Sequence, residues 1–266
     1  MGEREGLLAG RVALVSGIGP GLGRDAARAL ADHGADLVLA ARRTDQLEAV
    51  AKEVEARGQR CVWRATDVTD SASCAALVEA ACSSLGRVDI LVNNAYRGGT
   101  GIPFLPSFVE DPASWRASME VNLWGSLTMT AAVLPGMVER GDGRIVNVAS
   151  MAVRDIQPGQ GPYATSKAAL ISATKTLARE LGPSGIRVNA IVPGYIDGPA
   201  VTGFVERQAS ERGVPVGTIT EELAARTALG YVPDGNEIAG TIVWLASDLA
   251  RPVTGQAIDV NAGWWM

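Results

Sequence analysis

The chain has 266 residues, of which 47% are hydrophobic and 20% charged, with a net charge of −5. That length supports one sizeable core, and an acidic balance without any basic run argues against nucleic acid as the main partner. The start of the chain carries charges rather than the apolar stretch of a secretory signal, and no apolar run approaches membrane-spanning length. Cys61, Cys74 and Cys82 form neither a disulfide framework nor a metal-ligand spacing. The expectation is a cytoplasmic protein with reduced thiols, no metal site, and no nucleic-acid or membrane partner.

Arg11 to Ser16 is a short apolar run that ends in glycines and reads as a buried strand. Gly21 to Gly34 has helical spacing, with Leu22, Ala26, Leu30 and Ala31 on one side and His33 near the negative end of the helix dipole, which makes His33 a structural residue. Leu37 to Ala41 is a second strand, Thr44 to Arg57 a second helix ended by Gly58, and Cys61 to Ala65 a third strand. Ser71 to Leu85 is a third helix and Val88 to Val92 a fourth strand. This strict alternation implies parallel strands with right-handed crossovers, an α/β doubly wound sheet. The pattern continues with a long helix around Ser114 to Met137, a strand Arg144 to Val148, a helix that carries Tyr163, and a strand Arg187 to Ile191. Pro193 to Pro233 reads as less regular, rich in Gly, Pro and charge, and a helix Ile238 to Leu249 and a strand Ala257 to Val260 follow. The sheet therefore has about seven strands with helices on both faces, and no linker divides residues 1–266 into two domains.

The segment between the first strand and first helix, Ser16-Gly17-Ile18-Gly19-Pro20-Gly21-Leu22-Gly23, has the spacing G-x-x-x-G-x-G on Gly17, Gly21 and Gly23. Its backbone can approach a pyrophosphate closely, and the helix N-terminus offers free N–H groups and a positive dipole end. A glycine turn in that context points to a nucleotide site, against the alternative of a turn needed only for tight packing. The second strand runs into Ala41-Arg42-Arg43 with no carboxylate before Asp45. An acid there would bind ribose hydroxyls, whereas Arg42 would accept a 2′-phosphate. NADP(H) is therefore favoured over NAD(H), which stays possible if Arg42 and Arg43 are merely solvated.

Tyr163 and Lys167 lie four apart, sharing one helix face. A cation beside a phenol lowers its pKa toward working pH, as a general acid/base for an alcohol or carbonyl requires. Taken alone, the pair also fits a plain surface helix.

With Gly17, Gly21, Gly23 and Tyr163-x-x-x-Lys167 in place, the chain resembles the short-chain dehydrogenase/reductase family over nearly its whole length. Asp67-Val68 resembles the family's contact to the adenine ring, and Asn93-Asn94-Ala95 its Asn-Asn-Ala-Gly motif, with Tyr96 in place of the glycine. Asn122 corresponds to the helix asparagine that holds a water in the proton relay, and Ser150 to the serine upstream of the tyrosine. Pro193-Gly194 matches the turn behind the nicotinamide, and Ile196 the backbone contact to its carboxamide.

The resemblance implies that Asn122, Ser150, Tyr163 and Lys167 are catalytic. It also implies that Gly17, Gly19, Gly21, Leu22, Gly23, Arg42, Asp67, Val68, Asn94, Tyr163, Lys167, Pro193, Gly194 and Ile196 bind the cofactor. Tyr163 would exchange a proton with the substrate oxygen, Lys167 would lower the tyrosine's pKa and bind the nicotinamide ribose, and Ser150 would stabilise charge on that oxygen.

Two departures stand out. Tyr96 either shapes the substrate site or packs on the Gly98-Gly99 loop, and Gly198 stands where the family often has a threonine, whose contact would be lost or come from Thr202. The segment around 195–232 would be a substrate lid. Trp264-Trp265-Met266 would pack at a subunit contact, and the family's helix pairing implies a homotetramer, with a dimer second.

The expected activity is interconversion of a secondary alcohol and a ketone. The alternatives are an NAD(H)-dependent dehydrogenase of the same fold and a nucleotide-binding regulator without turnover.

Overall fold

The computed structural model describes residues 6–98, 108–109 and 112–266. Gly99, half of the loop considered for Tyr96, lies outside them. Seven strands, β1 (Val12–Ser16), β2 (Asp36–Ala41), β3 (Cys61–Ala65), β4 (Ile90–Asn93), β5 (Gly143–Val148), β6 (Ile186–Pro193) and β7 (Ala257–Val260), form one sheet in the order β3-β2-β1-β4-β5-β6-β7. Every pairing is parallel. The order reverses between β1 and β4, and a crevice opens there beyond the carboxyl ends of the strands, where open α/β sheets bind ligands.

The helices are α1 (Leu22–Asp32), α2 (Thr44–Glu55), α3 (Ser71–Leu85), α4 (Pro112–Met119), α5 (Gly125–Arg140), α6 (Gly161–Leu181), α7 (Pro199–Arg212), α8 (Val216–Ala225) and α9 (Gly235–Ala246). Strand alternation divides the core between the two faces. Ala13 and Val15 of β1 join Leu30 of α1, Leu47 of α2 and Ile242 of α9, while Val12 and Leu14 join Leu77 of α3 and Met129 of α5. Leu14, Leu37, Leu39 and Leu91 are fully buried, each contributing roughly 1.5–3 kcal/mol.

Three features depart from the sequence expectation. The long helix is continuous over 112–140 because a π-helical turn, Glu120–Trp124, joins α4 to α5. It has the length and apolar composition to cross a membrane, contrary to the expectation that no segment does. In this fold Met129, Val133 and Met137 are buried in the core beside α3 and β5. The irregular stretch after Pro193 is in fact two helices: Pro199 occupies the first turn of α7, and Gly213, with φ 63°, ends it. Residues that read as loop formers are helix boundaries there.

Candidate active site

The turn after β1 depends on two of its glycines for close backbone approach. A Cβ on Gly17, at φ 76°, would lie 2.4 Å from Ala95 Cα, and one on Gly23 would lie 2.4 Å from the Gly17 carbonyl oxygen. Gly19 and Gly21 differ, since a Cβ on either would meet no protein atom within 4 Å. Both line a cleft of about 430 Å³ that runs past Leu22, Gly23 and Asn94 to Ser150, Tyr163 and Lys167, then to Pro193, Gly194 and Ile196. Helix α1 starts at the cleft without a side-chain cap. The Asn94 amide donates to the Gly17 carbonyl at 2.8 Å and its backbone N–H to Ser16 Oγ at 3.2 Å, which fastens the end of β4 to the turn.

A second cleft shares Gly17 and Gly19 with the first and is lined by Arg42, Asp67 and Val68. Arg43 holds Asp45 through both carboxylate oxygens and takes its pKa down to about 2. Asp45 is thus engaged. Arg42 is exposed and, among the described residues, forms no ion pair; its charge helps hold the Asp67 carboxyl below the usual range, after the hydrogen bonds from the Thr69 N–H and hydroxyl.

At the other end, Pro162 opens α6, and a Cβ on Gly161 would meet the Trp115 ring at 2.8 Å. Tyr163 and Lys167 follow one turn apart. Lys167 is 1% exposed, and its Nζ donates to the Val148 carbonyl at 2.6 Å and stands 5.9 Å from the centroid of the Tyr163 ring. Burial brings its pKa from 10.5 to about 7. Tyr163 keeps some contact with the cleft, yet burial pushes its hydroxyl up to about 12, against a hydrogen bond with Ser150 that favours the ionised form. The Lys167 ammonium is bonded to a carbonyl here, and desolvation is the largest influence on both groups. Ser150 also caps the short turn Met151–Val153, accepting from the Ala152 N–H at 3.2 Å.

Asn122 is fully buried in the π-helical turn. Its Oδ1 accepts from the Arg97 N–H at 2.7 Å, while its Nδ2 donates to the Arg97 carbonyl at 3.0 Å and Ser166 Oγ at 2.8 Å. The amide is committed to clamping the segment after β4 onto α6, and Asn122 does not line the cleft. The Tyr96 ring lies 3.8 Å from where a Cβ on Gly98 would sit, and it meets the Tyr163 ring edge-on at 6.2 Å between centroids. It lines both clefts. Thr202 does not replace the missing threonine, because its hydroxyl donates back to the Gly198 carbonyl at 3.1 Å.

Sequence reasoning missed two sets of residues. Asn93 donates to Asn147 at 2.9 Å and Asn147 to Thr174 at 2.9 Å, a buried chain that registers β4, β5 and α6 behind the cleft. Asparagines ending apolar strands were its signal. The other set is at the carboxy-terminal end. Ala262 at φ 53° and Gly263 at φ 78° turn the chain back, with Asn261 Oδ1 accepting from the Gly263 N–H at 2.9 Å. The carbonyls of Ala262 and Gly263 accept from Leu229 and Ala228. This turn seats Trp264 in the small core of α7 and α8, against Tyr195 and Phe204. Trp264 therefore packs inside the subunit, while Trp265 and Met266 are exposed.

Among the described residues no group of His, Cys, Asp or Glu is arranged to hold a metal ion.

Residues 17–265 match the family model described as enoyl-(acyl carrier protein) reductase. The chain is 39% identical over 260 residues to the oxidoreductase UcpA of Salmonella typhimurium, covering 97% of this chain and 95% of that one. Among solved structures, L-sorbose reductase from Gluconobacter frateurii, complexed with NADPH and L-sorbose, superposes with a TM-score of 0.89 at 30% identity, covering 97% of each chain. An NAD+-bound xylitol dehydrogenase superposes with a TM-score of 0.86 at 30% identity, covering 95% of this chain and 98% of that one. Sequence, sheet order and relatives agree: the chain belongs to the short-chain dehydrogenase/reductase family, whose oxidoreductase chemistry acts on alcohols and ketones by hydride transfer.

Proposed function

We propose that the chain is an NADP(H)-dependent oxidoreductase that interconverts a secondary alcohol and a ketone, with Tyr163 as its acid/base. The observation that carries this reading is the meeting of Ser150, Tyr163 and Lys167 with the glycine turn in one cleft. The residues fit a dinucleotide: Gly19 and Gly21 keep the cradle clear of side chains, α1 points its uncapped N-terminus at it, and Arg42, Asp67 and Val68 line the extension. Relatives bound to NADPH and to NAD+ resemble the chain about equally, so the cofactor choice rests on Arg42 with Asp45 already held by Arg43.

The nicotinamide supplies or takes the hydride, and the protein supplies the proton. In reduction the Tyr163 hydroxyl gives its proton to the carbonyl oxygen as negative charge develops there. A phenol at about 12 is still a stronger acid than the alcohol formed, so the transfer runs downhill. Ser150 donates a hydrogen bond to the same oxygen, Lys167 would hold the nicotinamide ribose when the cofactor is bound, and Pro193, Gly194 and Ile196, which line the same cleft, would border its ring. Asn122 acts through Arg97 and Ser166, fixing the frame of α6. The proposal includes a cytoplasmic homotetramer, with Trp124 and Val138, exposed on the helix over 112–140, as apolar contact surface; sedimentation at a monomer's rate would overturn that part. The test of activity is a panel of ketones and alcohols followed by nicotinamide absorbance with each cofactor. Faster turnover with NADPH is expected, and a preference for NADH would replace the cofactor assignment.

A further inference from the structure

Tyr195 lines the cleft together with Ser150 and Tyr163, and its position is set by residues remote in sequence. Trp264 meets its ring edge-on at 5.0 Å between centroids, and Phe204 of α7 stacks on it at 5.7 Å. Trp264 is in turn gripped twice. Its indole N–H donates to Asp155 Oδ2 at 3.1 Å, and the Arg226 guanidinium lies 3.9 Å over its ring while pairing with the same carboxylate oxygen at 3.3 Å. Asp155 follows the Ser150 turn and Arg226 ends α8. Three segments that border the substrate end are thus joined on one indole.

The backbone is built for this seat. A Cβ on Gly263 would lie 2.5 Å from Ala228 Cβ, and one on Gly194 would lie 2.8 Å from Asn261 Cβ, so the final turn is wedged between the Pro193-Gly194 corner and the base of α8. Ala262 takes a left-handed φ of 53°, which an alanine adopts only where its surroundings hold it there. Arg226 is engaged by Asp155 and Trp264, and Tyr195 brings an aromatic ring with one hydroxyl to the cleft. Ala200 and Val201 line the cleft next to it.

We propose that Trp264, clamped by Asp155 and Arg226, is a positioning residue that fixes Tyr195 as an aromatic wall of the substrate site, selecting carbonyl compounds with an apolar face beside the reacting carbon over polyhydroxylated ones. The proposal rests on the reductase activity argued above. Cyclohexanone and dihydroxyacetone are the probes, with NADPH as reductant. The wild type should prefer cyclohexanone. Trp264→Ala should raise KM for cyclohexanone tenfold or more with kcat changed less than threefold, leave NADPH affinity as it was, and speed amide hydrogen exchange in residues 199–225 but not in the sheet. Trp264→Phe keeps the ring against Tyr195 without the bond to Asp155, and should give an intermediate KM. Should Trp264→Ala fail to fold, Asp155→Asn carries the test through the same rise in KM. A cyclohexanone KM unchanged in both Trp264→Phe and Asp155→Asn, or a wild type that prefers dihydroxyacetone, overturns the proposal alone. A wild type inert toward every ketone and alcohol overturns the functional reading beneath it.

Discussion

Lys167 is a buried ammonium with no carboxylate beside it among the described residues, and that makes a thermodynamic prediction independent of any substrate. Its pKa falls from 10.5 to about 7 because burial penalises the charged form. Bringing the charged amine from the unfolded chain into the fold therefore costs roughly 5 kcal/mol more than bringing the neutral amine. The sign follows from proton counting. Between pH 7 and 10.5 the unfolded chain holds a proton on this lysine that the folded chain has released, so stability rises with pH across that window. The slope is about 1.4 kcal/mol per pH unit for one whole proton. Tyr163 acts later and oppositely. Its folded pKa of about 12 lies above the ordinary 10, so it removes stability only above about pH 10. Urea unfolding of wild type and Lys167→Met at several pH values between about 7 and 10, at fixed protein and salt concentration, isolates the lysine. The wild type should gain about 3–4 kcal/mol on the variant across that range, while the variant loses turnover at every pH. Parallel stability curves would refute the reasoning and place the lysine's charge in a better solvated or paired setting than the Val148 carbonyl provides.

Other consequences follow from named contacts. Arg42→Ala should lower the ratio of kcat/KM for NADPH over NADH by roughly 10- to 100-fold, the value of one charge-assisted contact; steady-state kinetics with both cofactors measures it, and an unchanged ratio removes Arg42 from the phosphate site. Gly17→Ala should destabilise the fold by roughly 2–5 kcal/mol, because the new Cβ meets Ala95 backbone at a positive φ. A Cβ on Gly19 meets no protein atom within 4 Å, so Gly19→Val should melt within a few degrees of wild type while weakening NADPH binding tenfold or more in a fluorescence titration. If Gly19→Val binds NADPH normally, the turn does not cradle the cofactor.

Much of this architecture was legible because its signals are local. The runs before Gly17 and after Gly34 alternate with helical patterns too regularly for any arrangement but a parallel sheet, and β3, α3 and β7 begin and end where the residue pattern places them. The glycine turn, Ser150, Tyr163 and Lys167 carry their chemistry in residue type and spacing, and the fold brings them to one cleft. What was not legible depends on packing at long range. Spacing put Lys167 beside Tyr163 but said nothing of burial, which raises the tyrosine's pKa and lowers the lysine's. Pro199 and Gly213 look alike in a loop and at helix ends, so α7 and α8 were hidden. Trp264 read as a sticky tail because its partners, Asp155 and Arg226, lie 109 residues and about a third as far away in sequence. Asn122 was recognised by its place, yet its work on Arg97 and Ser166 needs the π-helical turn to be seen.

In the proposed reaction the Tyr163 hydroxyl moves the proton, while the glycine turn and Arg42 carry most of the hold on the cofactor. Tyr163→Phe, which deletes that one oxygen, tests this most directly when kcat/KM and NADPH affinity are measured on the same protein. The account predicts a fall in kcat/KM of roughly 10³-fold or more, with NADPH affinity within a few-fold of wild type. Turnover that survives the loss of the hydroxyl would contradict it.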